Sequence, residues 1–293
     1  MIDTLSEKDC ELFYKLKNLL YLFVNRKVKA LPDMSNWKDV GKHPPEKIIK
    51  IRDFIFNKNL NEIDNFVKEN PYNLKGDELD IVSSWKKAIV AEKFILFKYE
   101  KEHTLFFGNN NVYGVKGLMD SFRQFFDSHT PIFINLIILP FKNVLVHEGL
   151  FVPYNIMIGS RMGSSMKAEA EEAIMKKGIT SSLENQEQKK TPSEENMLRF
   201  FMKSENNRDR FFEEIDSLRE KSPELEAVYN NEIGRINSKQ IKSQLKKQGI
   251  KGYFAVLFSQ VVASGQTKQE LSKNILLILP EEKQNQVYTF QIK

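Results

Sequence analysis

Residues 131–163 read PIFINLIILPFKNVLVHEGLFVPYNIMIGSRMG, and this most apolar and β-branched stretch of the chain decides the fold. Residues 132–139 are apolar except for Asn135, which is typical of a strand buried on both faces. Pro140 has no N–H to donate to a ladder, so we expect strand pairing to stop there. Residues 131–139 are therefore predicted to form the central strand.

The residues that follow predict further strands around this one. Lys142-Asn143 supplies turn chemistry, and Val144 begins a strand that we expect to end near Gly149. A second extended run, 150–158, is predicted to have an edge or a bend at Pro153. These signals together indicate a hairpin-rich antiparallel core. The polar and proline residues within the stretch interrupt it well before the roughly 20 apolar residues of a membrane-spanning helix.

The chain upstream of the core changes its periodicity near residue 90. Apolar residues recur at helical spacing in 1–90, and Ser6 with Asp9 is suited to cap the first helix. Short extended runs with a Gly-Asn turn dominate 91–179. A closing helix is predicted at 166–177, capped by Ser164 or Ser165. We therefore expect an N-terminal helical layer and a central antiparallel sheet or small barrel.

The last third of the chain has its own pattern. Residues 180–196 contain almost nothing apolar and are predicted to be a linker. Residues 197–293 are predicted to hold helices near 197–220, 224–234 and 238–248, then two strands, a helix opened by the capping box Thr267–Glu270, and a last strand. The overall class is α+β, with a C-terminal helical plus ββαβ domain.

Composition restricts the function classes only loosely. The net charge of +5 permits anionic partners without requiring them, because only clustered charge is informative. One cysteine, Cys10, and the absence of a charged-then-apolar leader favour the cytoplasm and no membrane association. The four histidines are too widely spaced for a zinc knuckle, and we expect no cofactor. The oligomeric state stays open.

Two resemblances accompany these patterns. The order Leu139–Lys142 (LPFK), Val146–Leu150 (VHEGL), Pro153–Asn155 (PYN) and the Gly/Arg-containing Gly159–Gly163 resembles an uncharacterised prokaryotic protein family with no assigned activity. That resemblance implies a shared fold and assigns no catalytic residues to this chain. Glu148 replaces an aspartate common in that pattern, and the glycine run after PYN is thinner here. In the C-terminal ββαβ unit, the turn and helix cap at Val261–Thr267 (VVASGQT) are similar to those of small accessory domains attached to many microbial proteins.

The clearest charge cluster is Arg235–Lys251 (RINSKQIKSQLKKQGIK), which contains six basic residues and no acidic one. Helical spacing places Lys239, Lys242 and Lys246 on one face, while Ile241 and Leu245 face the core. Three helices followed by a hairpin is also the order of a winged helix, which reads nucleic acid with such a helix. The alternative interpretations are a solvated helix face with cations near its C-terminus, or a helix belonging to the ββαβ unit. The candidate nucleic-acid-binding residues are Arg235, Lys239, Lys242, Lys246 and Lys247.

A second candidate is an anion site in the segment that opens the closing helix. Free backbone N–H groups around Gly159, Gly163 and Ser164, together with Arg161, suit a phosphate. The segment lacks the Lys-Ser/Thr ending of a P-loop, so an ordinary strand-to-helix connection competes with this hypothesis. His147 and Glu148 are adjacent acid/base candidates, although neighbouring strand residues point to opposite faces.

Three functional hypotheses follow. The first is a non-enzymatic cytoplasmic binding or adaptor protein that binds nucleic acid through the basic helix. The second is a hydrolase of a phosphate-containing substrate, of nuclease or phosphoesterase type, with Arg161 in the anion site and His147 or Glu148 as acid/base. The third is a scaffold that binds protein partners through a sheet edge or the loop at 180–196.

Overall fold

A computed structural model describes residues 3–31, 36–126, 130–183 and 192–293. The chain divides into two compact units, Met1–Thr191 and Pro192–Lys293. The boundary between them falls inside the segment 180–196 predicted as a linker, most of which lies outside the described residues. The α+β class predicted from the sequence is confirmed. In the described part of the chain, no helix combines the length and apolar character needed to span a bilayer.

The first unit begins with the predicted helical layer. Its helices are α1 (Glu7–Val28), α2 (Pro45–Asp53), α3 (Asn61–Glu69) and α4 (Gly76–Ser84), with 3₁₀ turns at Trp37–Lys42 and Trp85–Lys87 and a π-helical turn at Phe54–Lys58. Ser6 caps α1 as predicted, because its side chain accepts a hydrogen bond from the Asp9 N–H. The helix ends at Val28, and its C-cap residue Lys29 adopts a left-handed conformation (φ 49°). Pro32, which as a proline is expected to close this helix, lies outside the described residues.

A closed barrel follows the helical layer. The strands are β1 (Ile89–Val90), β2 (Phe94–Tyr99), β3 (Thr104–Gly108), β4 (Asn111–Lys116), β5 (Ile132–Phe141), β6 (Val144–Pro153) and β7 (Ile179–Thr180), with helices α5 (Phe122–Phe126) and α6 (Ser160–Lys177) between them. The order β5-β2-β3-β4-β6 closes because β6 also pairs with β5. The small-barrel form of the prediction is therefore the correct one. Its pairing is not wholly antiparallel, since β4 runs parallel to β6 and β7.

The expected end of the central strand at Pro140 is wrong. Strand β5 continues to Phe141, and Pro140 lies opposite Leu145 of β6. The Pro140 carbonyl accepts a hydrogen bond from the Trp85 indole N–H at 3.0 Å. Because the N and C=O of one strand residue point to the same side, the missing N–H faces Trp85 rather than β6. The proline therefore removes no bond from the β5–β6 ladder.

The expected end of the second strand near Gly149 is also wrong. Strand β6 continues to Pro153 across a bulge in which Glu148, Gly149 and Leu150 lie opposite Ile137 alone. Gly149 adopts φ +116°, a conformation that side chains rarely allow. A Cβ there would also lie 3.0 Å from the Lys17 ammonium nitrogen. The glycine therefore permits a bulge where the sequence suggested an end.

Within the described residues 192–293, the second unit contains six helices and a small three-stranded sheet. The first four helices are α7 (Glu194–Phe201), α8 (Glu205–Arg210), α9 (Phe212–Arg219) and α10 (Pro223–Lys247), followed by β8 (Gly252–Leu257), β9 (Gln260–Gly265), α11 (Lys268–Ile278), α12 (Glu281–Gln284) and β10 (Tyr288–Ile292). The sheet order is β10-β8-β9. Apolar side chains of α10 pack on one face of this sheet and those of α11 on the other. The hairpin thus belongs to the predicted ββαβ unit, not to a winged helix.

The predicted helix boundaries in this unit need correction. One helix, α10, replaces the pair expected at 224–234 and 238–248, and three short helices replace the one expected at 197–220. Ser204 is the N-cap of α8, because its hydroxyl accepts a hydrogen bond from the Asn207 N–H. This cap divides the segment 197–220, which was expected to be one helix. Gly234 does not end a helix. It lies where α10 crosses the sheet, because a Cβ at this position would be 3.0 Å from both the Val256 carbonyl oxygen and the Tyr288 Cβ.

We expect Gly234→Val to lower the free energy of unfolding of the second unit by about 1–3 kcal/mol, because the added atoms have no space against the sheet. Urea denaturation, with hydrogen exchange on β8 and β10 to localise the effect, measures this. The control is Gly76→Ala, another helical glycine, whose Cβ would meet no atom within 4 Å. Equal stability of Gly234→Val and the wild type would contradict the close crossing.

Candidate functional site

The predicted nucleic-acid-binding residues all lie on the second half of α10. Lys239, Lys246 and Lys247 are exposed, and in the described part of the chain they form no ion pair. Lys242 is half-buried, with its ammonium 4.6 Å from the Phe290 ring centroid and 5.4 Å from that of Tyr288. We call these four lysines the basic face of α10. Ile241 and Leu245 pack towards the sheet, as the periodicity predicted.

Arg235 has a different environment from the four lysines. Its Nε donates to Glu232 Oε2 at 2.5 Å, and Arg199 Nη1 donates to the other oxygen of the same carboxylate at 2.7 Å. Glu232 is only 5% exposed. A buried carboxylate requires paired cations to offset its lost hydration. Arg235 therefore stabilises the packing of α7 on α10 and is not free to bind a ligand.

Charge in the second unit is divided along the sequence. Residues 233–269 contain seven Lys and Arg residues and no Asp or Glu, whereas residues 194–232 contain eleven acidic residues and six basic ones. The first of these segments includes the basic face of α10 and the β8–β9 hairpin. The charge excess of the unit is therefore concentrated on the part that carries the free lysines.

The predicted anion site takes a different form from the one expected. Gly159 is the N-cap of α6, and the helix begins at Ser160 rather than at 166. The Gly163 N–H donates to the Gly159 carbonyl at 2.9 Å, and the Ser164 hydroxyl donates to the Ser160 carbonyl at 2.9 Å. Both groups are thus engaged within the helix. Arg161 is exposed on the first turn of α6. Apart from this side chain, an anion would meet only the free backbone N–H groups that begin any helix, so the segment forms no dedicated anion site.

His147 and Glu148 lie on opposite sides of β6, consistent with the alternation of a strand. Glu148 is fully buried and faces α1. Its Oε1 accepts a hydrogen bond from the Tyr21 hydroxyl and lies 3.5 Å from the ammonium of Lys17, itself 5% exposed, while Oε2 accepts from the Leu150 N–H. Burial and the Glu148 charge raise the pKa of Tyr21 well above its usual value. Glu148 therefore joins α1 to the bulge and does not reach solvent.

His147 faces the barrel side and contacts aromatic rings. Its ring centroid is 4.9 Å from that of Phe122 and 5.4 Å from that of Phe151, and the residue is 5% exposed. Burial, with a smaller effect from the Lys17 charge, lowers the pKa of His147 to about 3. The ring is neutral at physiological pH, and such a weak base is poorly matched to general-base catalysis.

The residues of the predicted hydrolase are not brought together. The cavity lined by His147 includes none of Gly159, Arg161, Gly163 or Ser164 among its lining residues, and Glu148 faces the other side of the strand. Cys10, in the first turns of α1, is buried, and burial raises the pKa of its thiol rather than lowering it. No group of three or more His, Cys, Asp and Glu side chains within the described residues is arranged to hold a metal ion.

Sequence reasoning missed Lys17 and Tyr21 as partners of Glu148. The available signal was a lysine within the mainly apolar buried face of α1, since a buried lysine requires a partner. The sequence does not say which carboxylate that partner is, because Tyr21 and Glu148 are 127 residues apart. Comparison with protein-family models, curated proteins and solved structures finds no match to this chain.

The low pKa of His147 predicts acid sensitivity. Above pH 6.5 both the folded and unfolded states hold a neutral ring, whereas below it only the unfolded state gains the proton. Stability is therefore lost between pH 6.5 and about 3, by an amount on the order of 4 kcal/mol. His147→Asn, whose Oδ1 can replace Nδ1 as an acceptor, should flatten the dependence of unfolding free energy on pH in this window. An unchanged profile would contradict a buried neutral histidine.

The buried Lys17–Glu148 ion pair predicts that substitutions at these two residues affect the free energy of unfolding in a strongly non-additive way. Glu148→Gln leaves the Lys17 ammonium buried without a counter-charge and should cost about 3–5 kcal/mol of stability. Lys17→Met with Glu148→Gln should cost less than the sum of the single changes, by at least about 1 kcal/mol in a double-mutant cycle. Asp64→Asn, which breaks the exposed Lys86–Asp64 pair, should cost less than about 1 kcal/mol. Additive losses at Lys17 and Glu148 would refute the coupling.

Proposed function

We propose that this protein is a non-enzymatic binding protein that contacts the phosphate backbone of nucleic acid through the basic face of α10. The observation that carries the proposal is the set of three exposed lysines, Lys239, Lys246 and Lys247, without carboxylate partners among the described residues. Lysines in ion pairs have already exchanged their hydration for a partner, whereas these three are available to phosphate oxygens. Arg235 is left out of the binding set because Glu232 neutralises it.

The arrangement of the lysines suits an extended polyanion. Lys239 and Lys246 are seven residues apart on a helix, which corresponds to about 10 Å at 1.5 Å per residue. A nucleic acid presents several phosphates over such a length, so a row of cations can displace several counterions together. Acidic residues are absent from 233–269, so this part of the unit offers no local charge that repels the backbone.

Lys242 adds a fixed cation at the edge of this row. Its ammonium lies over Phe290 and beside Tyr288, and such stacking limits the freedom of the lysine without removing its charge. The four side chains of the basic face all end in ammonium groups, which bind phosphates as point charges, so the contacts expected are to phosphates and independent of base sequence. The proposed partner is therefore nucleic acid bound with low sequence preference.

Replacing Lys239, Lys246 and Lys247 by alanine should weaken nucleic-acid binding by roughly tenfold or more at low salt. It should also reduce the slope of log affinity against log salt by about 2–3, since each lost phosphate contact removes roughly one counterion. Fluorescence anisotropy with labelled single-stranded DNA, duplex DNA and RNA of the same sequence, at 50 and 150 mM salt, measures both quantities.

The matched control removes three exposed lysines from another part of the same unit. Lys268, Lys273 and Lys283 lie in α11 and α12, and their replacement by alanine makes the same change in net charge. This control should retain most of the affinity and the salt slope. No binding to any of the three probes at 50 mM salt, or equal losses in the two triple variants, would refute the proposed function.

A further inference from the structure

The first unit contains a cavity that the proposed function does not use. It has a volume of about 320 Å³ and lies where α2, the segment around Leu118 and the bulge of β6 meet. A neighbouring cavity of about 650 Å³ shares Tyr14, Leu118 and Met119 with it. Volumes of this size are typical of small-molecule sites. We call the first of these the His147 cavity.

One polar group of the lining has an unused hydrogen-bond donor. His147 Nδ1 accepts a hydrogen bond from the Gly149 N–H at 3.2 Å, so the proton of the neutral ring must lie on Nε2. No described residue accepts a hydrogen bond from that Nε2–H. The residue is only 5% exposed, yet Nε2 is not among the fully buried side-chain atoms that have no partner, so this donor is open to water or to a ligand that accepts its hydrogen bond.

The rest of the lining is mainly apolar. Ile49, Leu118, Phe125 and Phe151 supply aliphatic and aromatic surface. Met119 and Phe125 also line the cavity although they are 69% and 51% exposed. Large apolar side chains that remain exposed around a concave site are a usual sign of a binding surface.

The charges near the cavity disfavour a charged ligand. The exposed acidic residue Asp120 is part of the lining, and its negative charge disfavours an anion. Behind Gly149, the Lys17 ammonium is already paired with the Glu148 carboxylate, so that wall offers a charged ligand no free counter-charge. An uncharged molecule avoids both effects and also avoids the cost of burying a charge.

We propose that the His147 cavity binds a small uncharged aromatic molecule whose carbonyl oxygen accepts a hydrogen bond from His147 Nε2–H. The apolar lining contacts the ring of the ligand, and the fixed histidine donor selects the oxygen. This binding site is separate from the basic face of α10 and does not depend on the proposed nucleic-acid binding.

The test compares two probes of similar shape, acetophenone and ethylbenzene, of which only the first has an acceptor oxygen. Titrations are followed by protein NMR with ¹⁵N-labelled histidine, which reports on the imidazole nitrogens. We expect acetophenone to bind about 3- to 10-fold more tightly than ethylbenzene, a ratio that corresponds to one net hydrogen bond. Acetophenone should also shift the His147 Nε2 resonance, whereas ethylbenzene should not shift it through a hydrogen bond.

Two variants and one control make the test specific. His147→Phe should remove the preference for acetophenone, while His43→Phe, at a histidine outside the lining, should retain it. Val152→Trp, at a lining residue that is 49% exposed, should block both probes while leaving the fold intact. Val152→Trp therefore tests the site even where His147→Phe fails to fold.

Three results would overturn the proposal. They are no saturable binding of either probe, equal affinity for the two probes in the wild type, and unchanged acetophenone binding in folded Val152→Trp. A preference for acetophenone that persists in folded His147→Phe would likewise exclude His147 as the donor.

Discussion

The pairing of β5 along both of its edges is the constraint on which the first unit depends. One edge pairs with β1 and β2 and the other with β6, and these pairings close the barrel. Successive residues of β5 serve different cores. Ile134, Leu136 and Ile138 face the barrel interior, whereas Ile137, Leu139 and Phe141 join the core built with the helices. A strand buried on both faces has no polar side, which explains its almost continuous apolar sequence.

The bulge of β6 extends this constraint to the polar residues. Its first residue, Glu148, turns towards α1 and meets Lys17 and Tyr21, while His147 stays on the other side among aromatic rings. Gly149 makes both positions compatible, since its φ of +116° and its missing Cβ leave space beside Lys17. The same local irregularity thus joins the helical layer to the barrel and shapes the cavity lined by His147.

The second unit uses one long helix for two purposes. Gly234 lets α10 approach the sheet closely, and Ile241 and Leu245 continue the contact towards its C-terminal end. The lysines then occupy the remaining surface of the helix. Because α11 covers the other face of the sheet, the ββαβ unit has a core on both sides, and the exposed Lys239, Lys246 and Lys247 of α10 are not needed for packing.

The sequence by itself determined the type of most elements, because hydrophobic periodicity and capping residues act over a few neighbouring positions. The helical layer, the apolar central strand, the ββαβ order and the orientation of Ile241 and Leu245 all follow from such local signals. Only the tertiary structure decided how Pro140, Gly149 and Gly234 are used, since each is tolerated through contacts with distant residues. It also decided which charges are free. Arg235 and Lys239 belong to the same basic run, yet only Arg235 is paired, because packing of α7 on α10 brings a buried carboxylate between two arginines.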